Sequence, residues 1–434
     1  MSKQFSVLLA LLILVCLCVG SLPVRTQAQA GAARTNQNAA IISTTDAVLK
    51  ETSELRQLSI MRPVKSGAQS RGEIERMIIK NLDADTTPTE MHATESLLHV
   101  FGLAPNDFQY RPFLIKLLTE QVAGYYDPRA QQFYLADWIE LEGQKPVMAH
   151  ELTHALQDQH FNLKRFEKWP KGDSDAELAA HALIEGDAML AMTLYITKHP
   201  LVALAFMRSL GLQQNATEQL DRAPRALRES LMFPYESGLT WATALYQRGG
   251  WNTVSNAFTK LPQSTEQIMH PDKYFAYEAP LKMTLPELKP QLGPTWKHID
   301  SDVNGEWGCY LLLAEYLNDS DEAKQAAAGW SGDEFALYEG AKPSDLFVAQ
   351  ITAWDTPQDA REFFDAYLKR TWKRYPDAEA TQTTSTTERG DRREWKTPTS
   401  HGVLELRGSR VLILEGIPEK ANTTALLNRI WHQG

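Results

Sequence analysis

His150-Glu151-Leu152-Thr153-His154 leaves this part of the chain little structural choice. In an α-helix, residues four apart share a face one turn above each other, so both imidazoles project the same way. Two nitrogens then stand ready for one tetrahedral cation, and the glutamate beside the first can reach a water in an open coordination position. The flanks suit a helix. Pro146 fits a first turn, Val147-Met148-Ala149 leads in without a breaker, and Leu152, Ala155 and Leu156 supply apolar neighbours. A buried helix has little reason to carry such a face unless something compensates its desolvation. His150 and His154 are therefore expected to hold one zinc ion per chain, with Glu151 as general base. The alternative is a polar helix face satisfied by the protein itself.

The first thirty residues read as an export leader. Lys3 precedes an apolar run from Phe5 to Gly20, followed by Pro23 and the small-x-small site Ala28-Gln29-Ala30. The run is short for a membrane-spanning helix. Cleavage near Ala30 and export to the periplasm or the exterior are expected, with no stable membrane insertion afterwards; an uncleaved N-terminal anchor is the alternative. The 434 residues carry 44 Lys and Arg against 54 Asp and Glu, a net charge of −10, and the leader removes Lys3 and Arg25 but no acid. Nucleic acid and anionic membrane repel such a protein, so neither is expected as a partner. Of Cys16, Cys18 and Cys309 only the last outlives the leader, which excludes an intrachain disulfide and makes Cys309 a core residue.

Small polar residues at 31–45 suggest a flexible lead-in. From 46 to 281 the pattern is mostly helical, with apolar clusters such as Ile74, Met77 and Ile78 at helical spacing. Within it, Gly124-Tyr125-Tyr126-Asp127-Pro128 through Phe133-Tyr134-Leu135-Ala136 reads as a hairpin of two aromatic strands about an Asp-Pro turn. A helix is expected over 174–198 with Ser174 as N-cap, then helices at 200–211, 225–232, 238–248 and 251–260. The proline-rich polar stretch 282–293 reads as a linker. Residues 294–434 look like a smaller α+β domain: strands at 332–338, 346–354, 402–407 and 410–415, an amphipathic helix at 357–372 and a Thr-rich loop at 380–388.

Two histidines leave a zinc site incomplete. His160 stands six residues after His154, the spacing by which metzincins bring a third histidine. There a glycine three residues after the second histidine breaks the helix; here that place is Gln157, in a run that continues it. His160 therefore reads as a surface or supporting histidine. Glu185, in Ala182-Leu183-Ile184-Glu185-Gly186-Asp187-Ala188, is the better third ligand. A carboxylate from a neighbouring helix completes a His₂Glu set and leaves the fourth position to water. His181 shares the Glu185 face and reads as a packed histidine, with orientation of Glu185 as the alternative. Asp187 and Asp158 compete to support a ligand histidine. His270 reads as the cap before Pro271, or else as an oxyanion donor; Asn215-Ala216-Thr217 matches a glycosylation pattern by chance.

This pattern resembles the gluzincin metallopeptidases, where the two-histidine motif is followed by a glutamate ligand in a Glu-Gly-x-Ala context. Phe233-Pro234-Tyr235-Glu236-Ser237-Gly238 is similar to the Pro-Tyr-Glu-x-Gly segment of gluzincin aminopeptidases. The resemblance implies His150, His154 and Glu185 as ligands, Glu151 as base and Tyr235 as donor to the oxyanion. Closer still, Glu120–Pro128, His150–His160 and Ser264–Pro271 resemble an uncharacterised family of exported bacterial proteins assigned to the metallopeptidases by sequence. That likeness covers residues 46–275 well and the C-terminal domain more loosely. No Gly-x-Met-Glu-Asn precedes the metal helix, so exopeptidase activity is not implied. The expectation is an α+β protein: a mostly helical zincin-like domain over 46–281 with a small substrate-side hairpin, then an α+β domain over 294–434. Its expected activity is endopeptidase cleavage of peptide or protein substrates. The alternative is a catalytically inactive zinc-binding scaffold that acts through the C-terminal domain, against which an intact Glu151 argues.

Overall fold

The computed structural model describes residues 27–138, 141–167, 169–211, 218–386, 390–398 and 400–432. The fold is mixed α+β, with a helical N-terminal region followed by a region built on a large sheet. Helix α1 (Gln27–Arg56) leads into strand β1 (Lys65–Gln69), helices α2 (Arg71–Asp85), α3 (Pro88–Phe101) and α4 (Tyr110–Gln121), and the hairpin β2 (Gly124–Asp127) and β3 (Gln132–Ala136). Then come α5 (Leu141–Phe161), α6 (Ser174–Lys198), α7 (Pro200–Gly211), the short α8 (Glu218–Asp221) and α9 (Arg225–Ala257).

Local chemistry sets these boundaries. Thr87 and Glu90 form a reciprocal capping box before Pro88, and α3 stops at Gly102, whose φ of 71° is left-handed. In the hairpin, Asp127 Oδ1 accepts from the Arg129 and Ala130 amides at 2.8 and 3.0 Å, closing the turn. β1 runs parallel to β3, so the small sheet has the order β1-β3-β2 and leaves β2 at an edge beside α5.

α6 is the spine. Every residue from Ser174 to Ala188 is buried, so its apolar composition serves a core covered from all sides. Two glycines permit the closest of its contacts. A Cβ on Gly186 would stand 2.1 Å from the Gly238 carbonyl oxygen, and one on Gly238 would stand 2.3 Å from that of Ala182. α9 therefore crosses α6 backbone to backbone, next to Glu185 and Tyr235.

After the short helices α10 (Thr265–Met269), α11 (Pro271–Ala276) and α12 (Lys289–Leu292), the chain forms β4 (Lys297–Asp302), α13 (Gly305–Leu317), α14 (Ser320–Ala327), β5 (Trp330–Glu339), β6 (Leu346–Trp354) and α15 (Pro357–Arg374). The strands β7 (Glu379–Thr386), β8 (Gly390–Lys396), β9 (His401–Arg407) and β10 (Arg410–Ile417) and helix α16 (Thr423–Trp431) complete it. The seven strands pair antiparallel in the order β4-β5-β6-β10-β9-β8-β7. Successive side chains point to opposite faces. Val411 and Ile413 join Phe363, Phe364 and Tyr367 of α15, while Leu412 and Leu414 join Leu288, Trp296 and Leu426 on the other side. Both faces are covered, which is why β10 reads as a continuous apolar run.

The two expected domains share one core. Trp307 of α13 packs its ring 4.5 Å from that of Phe233 on α9, within a cluster that also holds Leu178 and Phe335. Arg370 and Arg374 of α15 cap α3 by donating to the carbonyls of Phe101 and Val100, and both pair with Glu415 of β10.

Several expectations are corrected. Residues 31–45 lie inside α1 rather than in a flexible lead-in: they hold no proline, and Ile41 and Thr45 near their end are buried. Within the expected loop at 380–388, residues up to Thr386 form a strand, Glu379–Thr386, paired with β8, and 387–388 lie outside the described residues. Asp173, not Ser174, caps α6, accepting from the Ala176 amide. Pro234 does not end a helix; α9 runs through it and bends instead at Gly249 and Gly250, where φ reaches 66°. The expected linker, 282–293, is fastened to β5 through Leu285 and Leu288, as is Leu281 just before it. Residues 1–26, most of the expected leader, and Asn215 lie outside the described residues. Among the described residues no single helix is long and apolar enough to cross a membrane.

Replacing Gly186 with alanine should force α6 and α9 apart. The expected cost is about 1–3 kcal/mol, read as a lower urea midpoint. An unchanged midpoint would show that the crossing has slack.

Candidate metal centre

α5 places His150 and His154 on one face, and α6 brings Glu185 against it. His150 Nε2 and His154 Nε2 lie 3.1 Å apart, and Glu185 Oε2 is 3.1 Å from the first and 3.4 Å from the second. Zinc bonds of about 2.0–2.1 Å at tetrahedral angles require ligand atoms roughly 3.3–3.4 Å apart, so the triangle fits one face of such a site, slightly contracted. All three side chains are buried, His154 keeping the largest exposure at 8%.

Four titratable groups in this space set each other's charge. Burial works against charge on His154, but the Glu185 carboxylate outweighs it and raises the imidazole to about 9. Burial would raise Glu185, yet the two histidines hold it at about 2. His150 is lowered, chiefly by burial.

Glu151 points into the same space from the other side. The Tyr126 amide of β2 donates to its Oε2 at 3.0 Å, and its Oε1 lies 3.9 Å from His150 Nε2 with no hydrogen-bond partner among the described residues. Ligand atoms of His150, Glu151 and His154 all fall within 4.8 Å of one another. Glu185 is nevertheless nearer to both histidine nitrogens than Glu151 is, which favours Glu185 in the triangle and Glu151 beside it. Burial above all, with Glu185 adding to it, pushes Glu151 up to about 8.

Tyr235 arrives on α9, its ring 6.2 Å from that of His150 at an interplanar angle of 29°. Burial and the charges of Glu185 and Glu151 hold its phenol well above the ordinary range, so it stays a donor. Its mid-helix position rules out a role as a helix cap.

The remaining residues lie outside the triangle, His181 close enough to feel the charge of Glu185. His160 meets the Ser59 carbonyl at 2.8 Å, and His270 meets Glu306 at 2.8 Å. His181 is buried, which lowers it to about 4. Cys309 is a core residue. Asp158 accepts from Arg62, the Tyr126 hydroxyl and the Leu163 amide. Asp187 is linked to His154 through Gln157, which bonds His154 Nδ1 at 2.9 Å and donates to Asp187 Oδ2 at 2.8 Å. Gln157 was legible, since it stands three residues after His154 and shares its face. Arg56, which donates to Asp187 from α1, had no local signal.

Residues 293–427 match a family model described as a domain of unknown function (DUF8575). That match covers the large sheet and none of the residues of the candidate centre. No curated protein and no solved structure matches the chain.

A stability consequence follows from Glu151. An acid raised from 4.5 to about 8 on folding contributes fully below its unfolded value and loses that contribution as pH rises through the folded one. Metal-free Glu151→Gln should therefore be more stable than the parent at pH 8, by roughly a few kcal/mol, with the gap closing toward pH 4.5. Urea melts across that range test this; a gap that stays constant with pH would contradict it.

Proposed function

We propose that the chain is an exported zinc metallopeptidase of gluzincin type that cleaves peptide bonds within a chain. The observation that carries this reading is the triangle of His150, His154 and Glu185 with a second buried carboxylate, Glu151, turned toward it. A site that held zinc for structure alone would have no use for Glu151, whose burial costs stability; retaining such a group suits a function.

Zinc held there supplies a Lewis acid that polarises a carbonyl and brings the pKa of water to about 7. His150, His154 and Glu185 would hold the ion, a three-residue set that would leave room for water. Glu151, held by the Tyr126 amide with Oε1 toward the ligand nitrogens, accepts the proton from the attacking water and returns it to the departing amine. Tyr235 remains protonated and donates to the oxyanion, a contribution of roughly 3–4 kcal/mol for one well-placed donor. β2 lies at the edge of its sheet beside α5, and its Tyr126 amide is already spent on Glu151. Of the three ligands in this reading, His154 keeps the most exposure.

Elemental analysis and cleavage of a random peptide library test the reading together. The purified protein should carry close to one zinc and cleave. Glu151→Gln should retain the metal and lose cleavage by several orders of magnitude. Glu185→Ala should lose metal affinity, whereas His160→Ala should not. Full zinc retention in Glu185→Ala, or undiminished cleavage by Glu151→Gln, would overturn the assignment.

A further inference from the structure

Below the ligand triangle runs a chain of buried polar groups that crosses four helices. Gln157 is fully buried, and its amide nitrogen donates to the Ile184 carbonyl at 3.0 Å and to Asp187 Oδ2 at 2.8 Å. Both partners are acceptors only, a backbone carbonyl and a carboxylate. The orientation of the amide is thereby settled, and its oxygen faces His154 Nδ1 at 2.9 Å. An amide oxygen cannot donate, so His154 must carry its proton on Nδ1. Nε2, the atom in the triangle, is left with its lone pair in the neutral ring.

Asp187 is held in turn. Arg56 Nε donates to its Oδ1 at 2.5 Å, with both side chains wholly buried. The guanidinium lies 4.4 Å over the Trp251 ring and donates to Ser255 Oγ at 3.1 Å, both on α9. Trp251 and Ser255 therefore seat Arg56, Arg56 fixes Asp187, Asp187 aims Gln157, and Gln157 presets His154. The other ligand has no such device: His150 Nδ1 is buried with no hydrogen-bond partner among the described residues.

We infer that Gln157, Asp187 and Arg56 are positioning residues that commit His154 Nε2 to the metal, and that α1 is thereby part of the working centre. The inference rests on the zinc reading above. It bears on processing as well: cleavage near Ala30 spares Arg56, whereas removal of all of α1 as an activation segment would dismantle the relay.

The test measures zinc affinity of the purified protein by competition with a chromophoric chelator. Gln157→Leu removes the acceptor for Nδ1–H and leaves the Arg56–Asp187 pair in place. It should weaken zinc binding about 10- to 100-fold, the usual effect of losing a hydrogen-bond partner of a ligand histidine. Arg56→Lys should weaken binding in the parent, yet add nothing in the Gln157→Leu background, since Arg56 acts through Gln157. A merely structural role for α1 would give the same loss in both backgrounds and would overturn the relay. Zinc binding by Gln157→Leu within about threefold of the parent would also overturn it.

A second measurement needs no variant. Nitrogen-15 spectra of the zinc-loaded parent labelled at histidine should show the His154 ring protonated at Nδ1 and bound through Nε2; a ring bound through Nδ1 would sink the inference. A parent that takes up no zinc at all fails the zinc reading itself, and is distinguishable from a parent that binds while Gln157→Leu binds equally well.

Discussion

Two imidazoles and two carboxylates occupy one dry space between α5 and α6, and the surrounding structure is arranged around that fact. Their polar atoms approach to 3.1–3.9 Å in a region almost closed to water. Lone pairs brought so close repel each other unless positive charge stands between them. Glu185 raises His154 and the two histidines lower Glu185, so each favours the charged form of the other. A divalent cation would supply positive charge with ligand spacings near those already present.

Holding such a cluster demands rigid walls. α6 is covered on every side along its first fifteen residues, so Glu185 cannot swing out to solvent. The Gly186–Gly238 crossing brings α9 close enough for Tyr235 to face His150. Further out, Trp307 and the Arg370–Glu415–Arg374 network bind the large sheet to the helices, so the sheet region shares the core of the centre instead of forming a detached module. Stability of the sheet and integrity of the centre are thus coupled through packing.

The sequence made the centre more legible than its setting. The His150–His154 spacing works through helix geometry alone, and Glu185 stood out through the run Glu185-Gly186-Asp187-Ala188 on a later helix, the context the gluzincin resemblance supplied. The hairpin at 124–136 was legible from its aromatic alternation and Asp-Pro turn. Several other elements depend on partners distant in the chain. Residues 31–45 look weakly structured because their polar composition hides a helix whose far end is buried by α5 and α6. β7 carries a threonine-rich sequence that alone resembles a loop, and it becomes a strand through its pairing with β8. β1 owes its place to β3 beside it. Arg56 lies 131 positions before Asp187, and nothing near it in the sequence marks it as belonging to the centre.

The central claim is that three named atoms form one zinc face. Crystals grown with zinc and measured on both sides of the zinc absorption edge test it directly. One anomalous peak should appear about 2.0–2.1 Å from His150 Nε2, His154 Nε2 and a Glu185 oxygen, with Glu151 outside bonding distance. A peak bonded to Glu151 in place of Glu185, or no peak between these helices, would contradict the account.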